Sequence, residues 1–156
     1  MTDLQQNAVL LGEGTRRTAS DIGLLVLRLA AGAIFIAHGW GDASQDGGAG
    51  ANIVNYRDAG IPLAELSAWF GAYMQLIGGG LLVLGVLTPV AAAGLAVVMA
   101  GALVFVHPGE PLVMAPDGSG AGFALAMFAI SLCLLGTGAG RLSVDHVLLP
   151  RLARRG

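Results

Sequence analysis

Lysine is absent from this chain of 156 residues, and cysteine occurs once, at Cys133. Aromatic residues make up 6% and charged residues 12%, against about 25% charge in an ordinary soluble domain. Each shortage excludes something. A single cysteine permits no intramolecular disulfide, no Cys-x-x-Cys pair and no zinc ribbon, so dithiol exchange within the chain is ruled out. With 8 arginines against 10 acids and a net charge of -2, the chain is neither a basic nucleic-acid binder nor an acidic disordered tail. What remains is apolar. Hydrophobic types reach 55%, mean hydropathy is +0.75, and 25 glycines sit mostly inside apolar runs. The composition is that of a small integral membrane protein.

Four apolar stretches, at about 22–38, 66–87, 90–106 and 120–138, carry that reading. Each holds roughly 17–22 residues, which at 1.5 Å per residue matches a hydrocarbon core of about 30 Å. Ser20-Asp21 reads as an N-cap opening the first stretch, and Thr88-Pro89 as a stop followed by a new first turn. The expected architecture is all-α: a four-helix membrane bundle over 21–140, after a polar tail (1–20) and before a basic interfacial tail (141–156). Arg16 and Arg17 precede the first stretch, and Arg141, Arg151, Arg154 and Arg155 follow the last. The loops 39–64 and 107–119 are mainly acidic, so positive-inside reasoning places both termini in the cytoplasm. Arg28 in mid-span and three further spans argue against a cleaved signal peptide.

Ala92, Ala96 and Ala100 form a small-residue stripe, and Gly78-Gly79-Gly80 with Gly85 smooth the second span. Close packing inside the bundle is the main reading of both, and a homo-oligomer face is the alternative. The loop Gln45 to Asn52 is flexible by composition.

Arg28 is the most informative residue, because a cation in mid-span costs about 2.5–3.5 kcal/mol and normally faces a partner or a water-filled cavity. Depth arithmetic from His38 and Glu65, both taken as outer helix ends, brings Arg28, Gln75 and Ser131 together near the midplane. That cluster reads either as a ligand site or as a structural knot of hydrogen bonds. His38 and His107 emerge at the outer surface near Glu65, with Trp40, Trp69 and Tyr73 as an aromatic belt. Two imidazoles with carboxylates nearby suit proton relay to a quinone or a transition metal. No metal-ligand spacing supports the second use, and contact with lipid headgroups is the plainer explanation. Cys133 reads as a packing residue.

Taken in order, these segments resemble the DoxX family of small bacterial membrane proteins. The resemblance rests on LLVLRLAAGAIFIAHGW (Leu24 to Trp40), AGIP (Ala59 to Pro62), QLIGGGLLVLGVLTP (Gln75 to Pro89), VFVHPG (Val104 to Gly109) and GTGAGRLSVDHVL (Gly136 to Leu148). It implies a four-helix domain of the bacterial inner membrane, associated with quinone-linked redox metabolism and with an oxidoreductase partner. It also implies polar roles for Arg28, His38 and His107. Two departures matter: the family pattern has Glu at position 75 and often an acid near position 123, where this chain has Gln75 and Phe123. Their loss removes the natural counter-ion of Arg28 and favours a non-catalytic assembly or scaffold subunit as the alternative. A small transporter or channel ranks third, since only Arg28, Gln75 and Ser131 offer it a polar path.

Overall fold

The computed structural model describes residues 3–147, with side chains from residue 13 onward. Arg151, Arg154 and Arg155 of the basic tail therefore lie outside the described residues. Helices α1 (Asp3–Ser44), α2 (Ile53–Asp58), α3 (Ala64–Leu84), α4 (Thr88–Gly101) and α5 (Gly122–Thr137) follow in order, with no strand among the described residues. A 3-10 turn covers Gly48–Asn52, and a π-helical turn, Ala102–Val106, extends α4.

The Ser20-Asp21 signal starts nothing: α1 is continuous for 42 residues and passes straight through it. Residues 3–20 contain no proline, and Glu13 pairs with Arg17 one turn on at 3.7 Å, so a lone capping signal loses to continued helix. The Asp21 carboxylate instead accepts the backbone N–H of Arg141 at 2.9 Å. The N-terminal segment is thus a helical extension rather than a tail. The same contact brings the start of the first apolar stretch and the chain after α5 to one end, here termed basal. The opposite, apical end carries α2 and the loop after His107.

Helices α1 and α3 run antiparallel in close contact, and glycine makes that possible. A β-carbon at Gly32 would come within 2.7 Å of the Gly79 carbonyl oxygen, and one at Gly39 within 2.6 Å of that of Ala72. These contacts set the register: Gly39 lies beside Ala72 and Leu76, Gly32 beside Gly79 and Val83, and Arg28 beside Gly85. A core of Phe35, Leu82, Leu95, Met127 and Leu134 fills the space between α1, α3, α4 and α5. Ala92 and Ala96 of the small-residue stripe are buried within it, so the stripe is used inside the chain.

Three helical segments are long and apolar enough to cross a membrane: Glu13–Ser44, Ala64–Leu84 and Thr88–Val106. α5 is apolar but shorter, at 16 residues, which is about 24 Å of helix. The loop expected to be flexible folds into the 3-10 turn, with Ala49 fully buried and Asn52 donating to Asp42 at 2.9 Å.

Candidate functional site

Arg28, Gln75 and Ser131 are all buried, but they do not bond to one another. Gln75 Nε2 donates to the Gly71 carbonyl at 3.1 Å, and Ser131 Oγ to that of Met127 at 2.8 Å, each within its own helix. Arg28 donates from Nη1 to Leu82 O at 3.2 Å and from Nη2 to Leu142 O. Leu82 lies seven residues from Gln75 along α3, about 10 Å. The depth arithmetic failed because α1 continues past His38 to Ser44, so His38 and Glu65 are not level. The helix pair is displaced by about ten residues from the assumed register. The three residues therefore form no hydrogen-bonded cluster.

Arg28 lies toward the basal end. Its guanidinium sits at the C-terminal end of α3, where carbonyls lack helical partners and a cation is favoured. Asp145 does the converse at the start of α4, its two carboxylate oxygens accepting from the N–H groups of Leu87 (2.8 Å) and Thr88 (3.0 Å). Leu87 there holds a left-handed conformation at φ 49°, and Gly85, at φ 68°, leaves the room that Arg28 occupies. Residues 142–145, after α5, thus form a strap over the α3–α4 joint, with the Leu142 carbonyl accepting from Arg28 and Asp145 capping α4. Among the described residues no carboxylate lies within ion-pair distance of Arg28.

The chemistry gathers at the apical end, around a cavity of about 390 Å³. Gln75, displaced from Arg28 by the true register, lines it together with His38, His107, Tyr56 and Ser67. The walls are apolar, with Ile34 and Phe35 from α1, Phe70 from α3 and Met127 from α5. His38 Nδ1 is bonded to the Ile34 carbonyl at 3.0 Å, so the ring donates there. Its other face stacks on Phe123, with ring centres 5.3 Å apart. Position 123 thus supplies a ring where the resemblance implied an acid. His107 Nδ1 is bonded to Glu110 Oε2 at 2.7 Å, and the same oxygen accepts the Gly120 N–H at 2.7 Å. Both imidazoles therefore have Nδ1 engaged and Nε2 left for a ligand.

The π-helical turn sets His107 in place. Its N–H bonds to Ala102 O, five residues back, and the extra residue in the turn lets Phe105 and His107 both line the cavity. Tyr56 reaches α3 because Gly71 lacks a β-carbon, which would fall 2.6 Å from the phenol oxygen. Burial, reinforced by Asp42, pushes the Tyr56 hydroxyl up and keeps it a donor. Glu65 and Trp40 stay outside this cavity: Glu65 faces Arg57 at 3.8 Å on the surface, and Trp40 is exposed. Trp69 and Tyr73 stack on each other, also on the surface. Among the described residues no three His, Cys, Asp or Glu converge as a metal cluster.

The hydrogen bond from His107, then that from Gly120, holds the Glu110 carboxyl below its ordinary range. A lowered carboxyl value stabilises the fold fully above the unfolded value of about 4.3 and ceases to do so as pH falls through the lowered one. The Gly120 amide should accordingly keep its hydrogen-exchange protection, corrected for intrinsic rate, down to that range and lose it below. Glu110→Gln should remove the pH dependence. Protection that is flat through the same range in the unaltered protein would show that Glu110 does not hold the loop.

A chain with three crossing-length apolar helices, packed against a fourth apolar helix around such a cavity, is a multi-pass membrane protein. The DoxX family model matches residues 23–108, over half of the chain, and the chain belongs to the DoxX family. The matched segment contains Arg28, His38, Gln75 and His107. No curated protein and no solved structure matches the chain.

Proposed function

We propose that this DoxX protein is a four-span component of quinone-linked redox metabolism in the bacterial inner membrane, with both termini cytoplasmic. Its apical cavity binds the quinone headgroup near the outer surface. The observation that carries this reading is the pair His38 and His107, each with Nδ1 occupied, lining one apolar cavity with Tyr56. Its volume lies in the range of about 300–1,000 Å³ usual for small-molecule sites.

The donor set suits a two-oxygen ring. Tyr56 donates to a carbonyl oxygen, and an imidazole Nε2 accepts from a ring hydroxyl. Glu110 orients His107 by accepting from Nδ1, which leaves Nε2 facing the cavity to exchange a proton with a bound ring. A bound quinone supplies two-electron, two-proton chemistry. With one cysteine and no flavin fingerprint in the sequence, the electrons come from an oxidoreductase partner.

The test is extraction of the purified protein for bound quinone, followed by titration with a short-chain ubiquinone analogue. His107→Ala and His38→Ala should each weaken binding about tenfold, the value of one lost hydrogen bond of roughly 1.4 kcal/mol, while thermal unfolding stays near that of the parent. Absence of bound quinone and of titratable binding would instead assign the chain to the scaffold-subunit reading.

A further inference from the structure

At the basal end, α1 carries Arg16 and Arg17 just outside the apolar stretch that opens at Ile22, and the chain after α5 adds Arg141. The three residues line one surface cavity of about 350 Å³ with Glu13, Ser20 and Asp21. The acids there are already engaged. Glu13 faces Arg17 at 3.7 Å, and the Asp21 carboxylate accepts the Arg141 N–H. The charge left over is positive, and neither Arg16 nor Arg141 has an acidic side-chain partner among the described residues.

Position says what this charge meets. Arg16 lies six residues before Ile22 on an unbroken helix, about 9 Å below the edge of the apolar run. A hydrocarbon core of about 30 Å grows to about 40–45 Å with headgroups included, about 5–7.5 Å per leaflet. Arg17 therefore lies at the outer edge of the headgroup layer and Arg16 one residue beyond it, within reach of a phosphate for a side chain as long as arginine's. Arginine presents a planar fork that matches phosphate oxygens in pairs. We infer that Arg16, Arg17 and Arg141 form a binding site for the phosphodiester of an anionic phospholipid in the leaflet at the basal end. The site joins the first and last parts of the membrane domain, residues 125 apart in sequence, and Asp21 is its positioning residue. The inference is independent of the apical cavity and of what binds there.

The experiment is native mass spectrometry of the full chain released from nanodiscs containing equal phosphatidylglycerol and phosphatidylcholine. The parent should retain phosphatidylglycerol preferentially. Arg16→Gln and Arg141→Gln should each lower that preference about fivefold, the fold-change expected for one arginine near an anionic surface. Arg57→Gln, at the apical end, should leave it unchanged.

Asp21→Ala separates a built site from general surface charge. Removing an acid strengthens any nonspecific attraction, whereas a site positioned by Asp21 loses preference when Arg141 is released. Stronger retention in Asp21→Ala, or no selectivity in the parent, would overturn the inference. Inorganic phosphate binding to the lipid-free micellar protein, with no preference among lipids, would assign the cavity to a soluble phosphate and overturn the lipid source. Thermal unfolding of each variant checks that the helices remain packed.

Discussion

Arg28→Leu should cost about 3–6 kcal/mol of stability in detergent, because two charge-assisted hydrogen bonds are worth roughly 1.5–3 kcal/mol each. Insertion should be unimpaired, since the change makes the first span more apolar. The loss falls at the basal corner. Leu82 and Leu142 lose a cationic donor, and the strap is then held at Asp145 by its bonds to Leu87 and Thr88. A double-mutant cycle locates the interaction. Coupling between Arg28→Leu and Asp145→Ala should exceed about 0.5 kcal/mol, whereas coupling between Arg28→Leu and Gln75→Leu should be near zero. The reverse pattern would restore a midplane cluster and refute the basal strap. Quinone affinity should be unchanged in Arg28→Leu protein that remains folded, because the nearest cavity residue on α1, Ile34, lies six residues or about 9 Å further along the helix and His38 ten residues.

Gly39→Ala is the second large effect, and it needs only one methyl group. The new carbon would press on the backbone of Leu76 and Ala72, which cannot swing aside as a flexible side chain does. Overpacking in a tight interior costs typically about 1–3 kcal/mol, and backbone contact places this case at the upper end. The relief available is separation of α1 from α3. Because His38 precedes Gly39 and Gln75 precedes Leu76, that separation also widens the cavity between them. Thermal unfolding should fall, and quinone affinity should fall with it. Gly41→Ala is the control, since a β-carbon there meets nothing within 4 Å. Equal effects at the two positions would mean that helix propensity alone, and not close approach, is being measured.

The family and the apolar helices were legible in sequence because they depend on composition, length and local order. The Thr88-Pro89 break was legible for the same reason, and α4 begins at Thr88. The two histidines, singled out as outer-end residues, line one cavity, but the reason they do so was not in the spacing. Sequence spacing offers no view of the π-helical turn that aims His107, or of Gly71 making room for Tyr56. One signal was available and unused: Asp145 of GRLSVDHVL, an acid just after the last apolar stretch, which caps α4 at Leu87 and Thr88. The heptad pair Gly32 and Gly39 was another, since small residues at that spacing mark a helix–helix contact.

By itself the sequence determined that the chain is a helical membrane protein, because burying an apolar run of about 20 residues in lipid requires helix whatever its neighbours do. Only the tertiary structure decided which polar groups meet. Helix register is set by close glycine contacts between α1 and α3, and a shift of ten residues moves a side chain by about 15 Å. That distance is the difference between Arg28 facing Gln75 and Arg28 holding the strap at Leu142. It also puts Gln75 beside the histidines, in a cavity that no spacing along the chain could have placed.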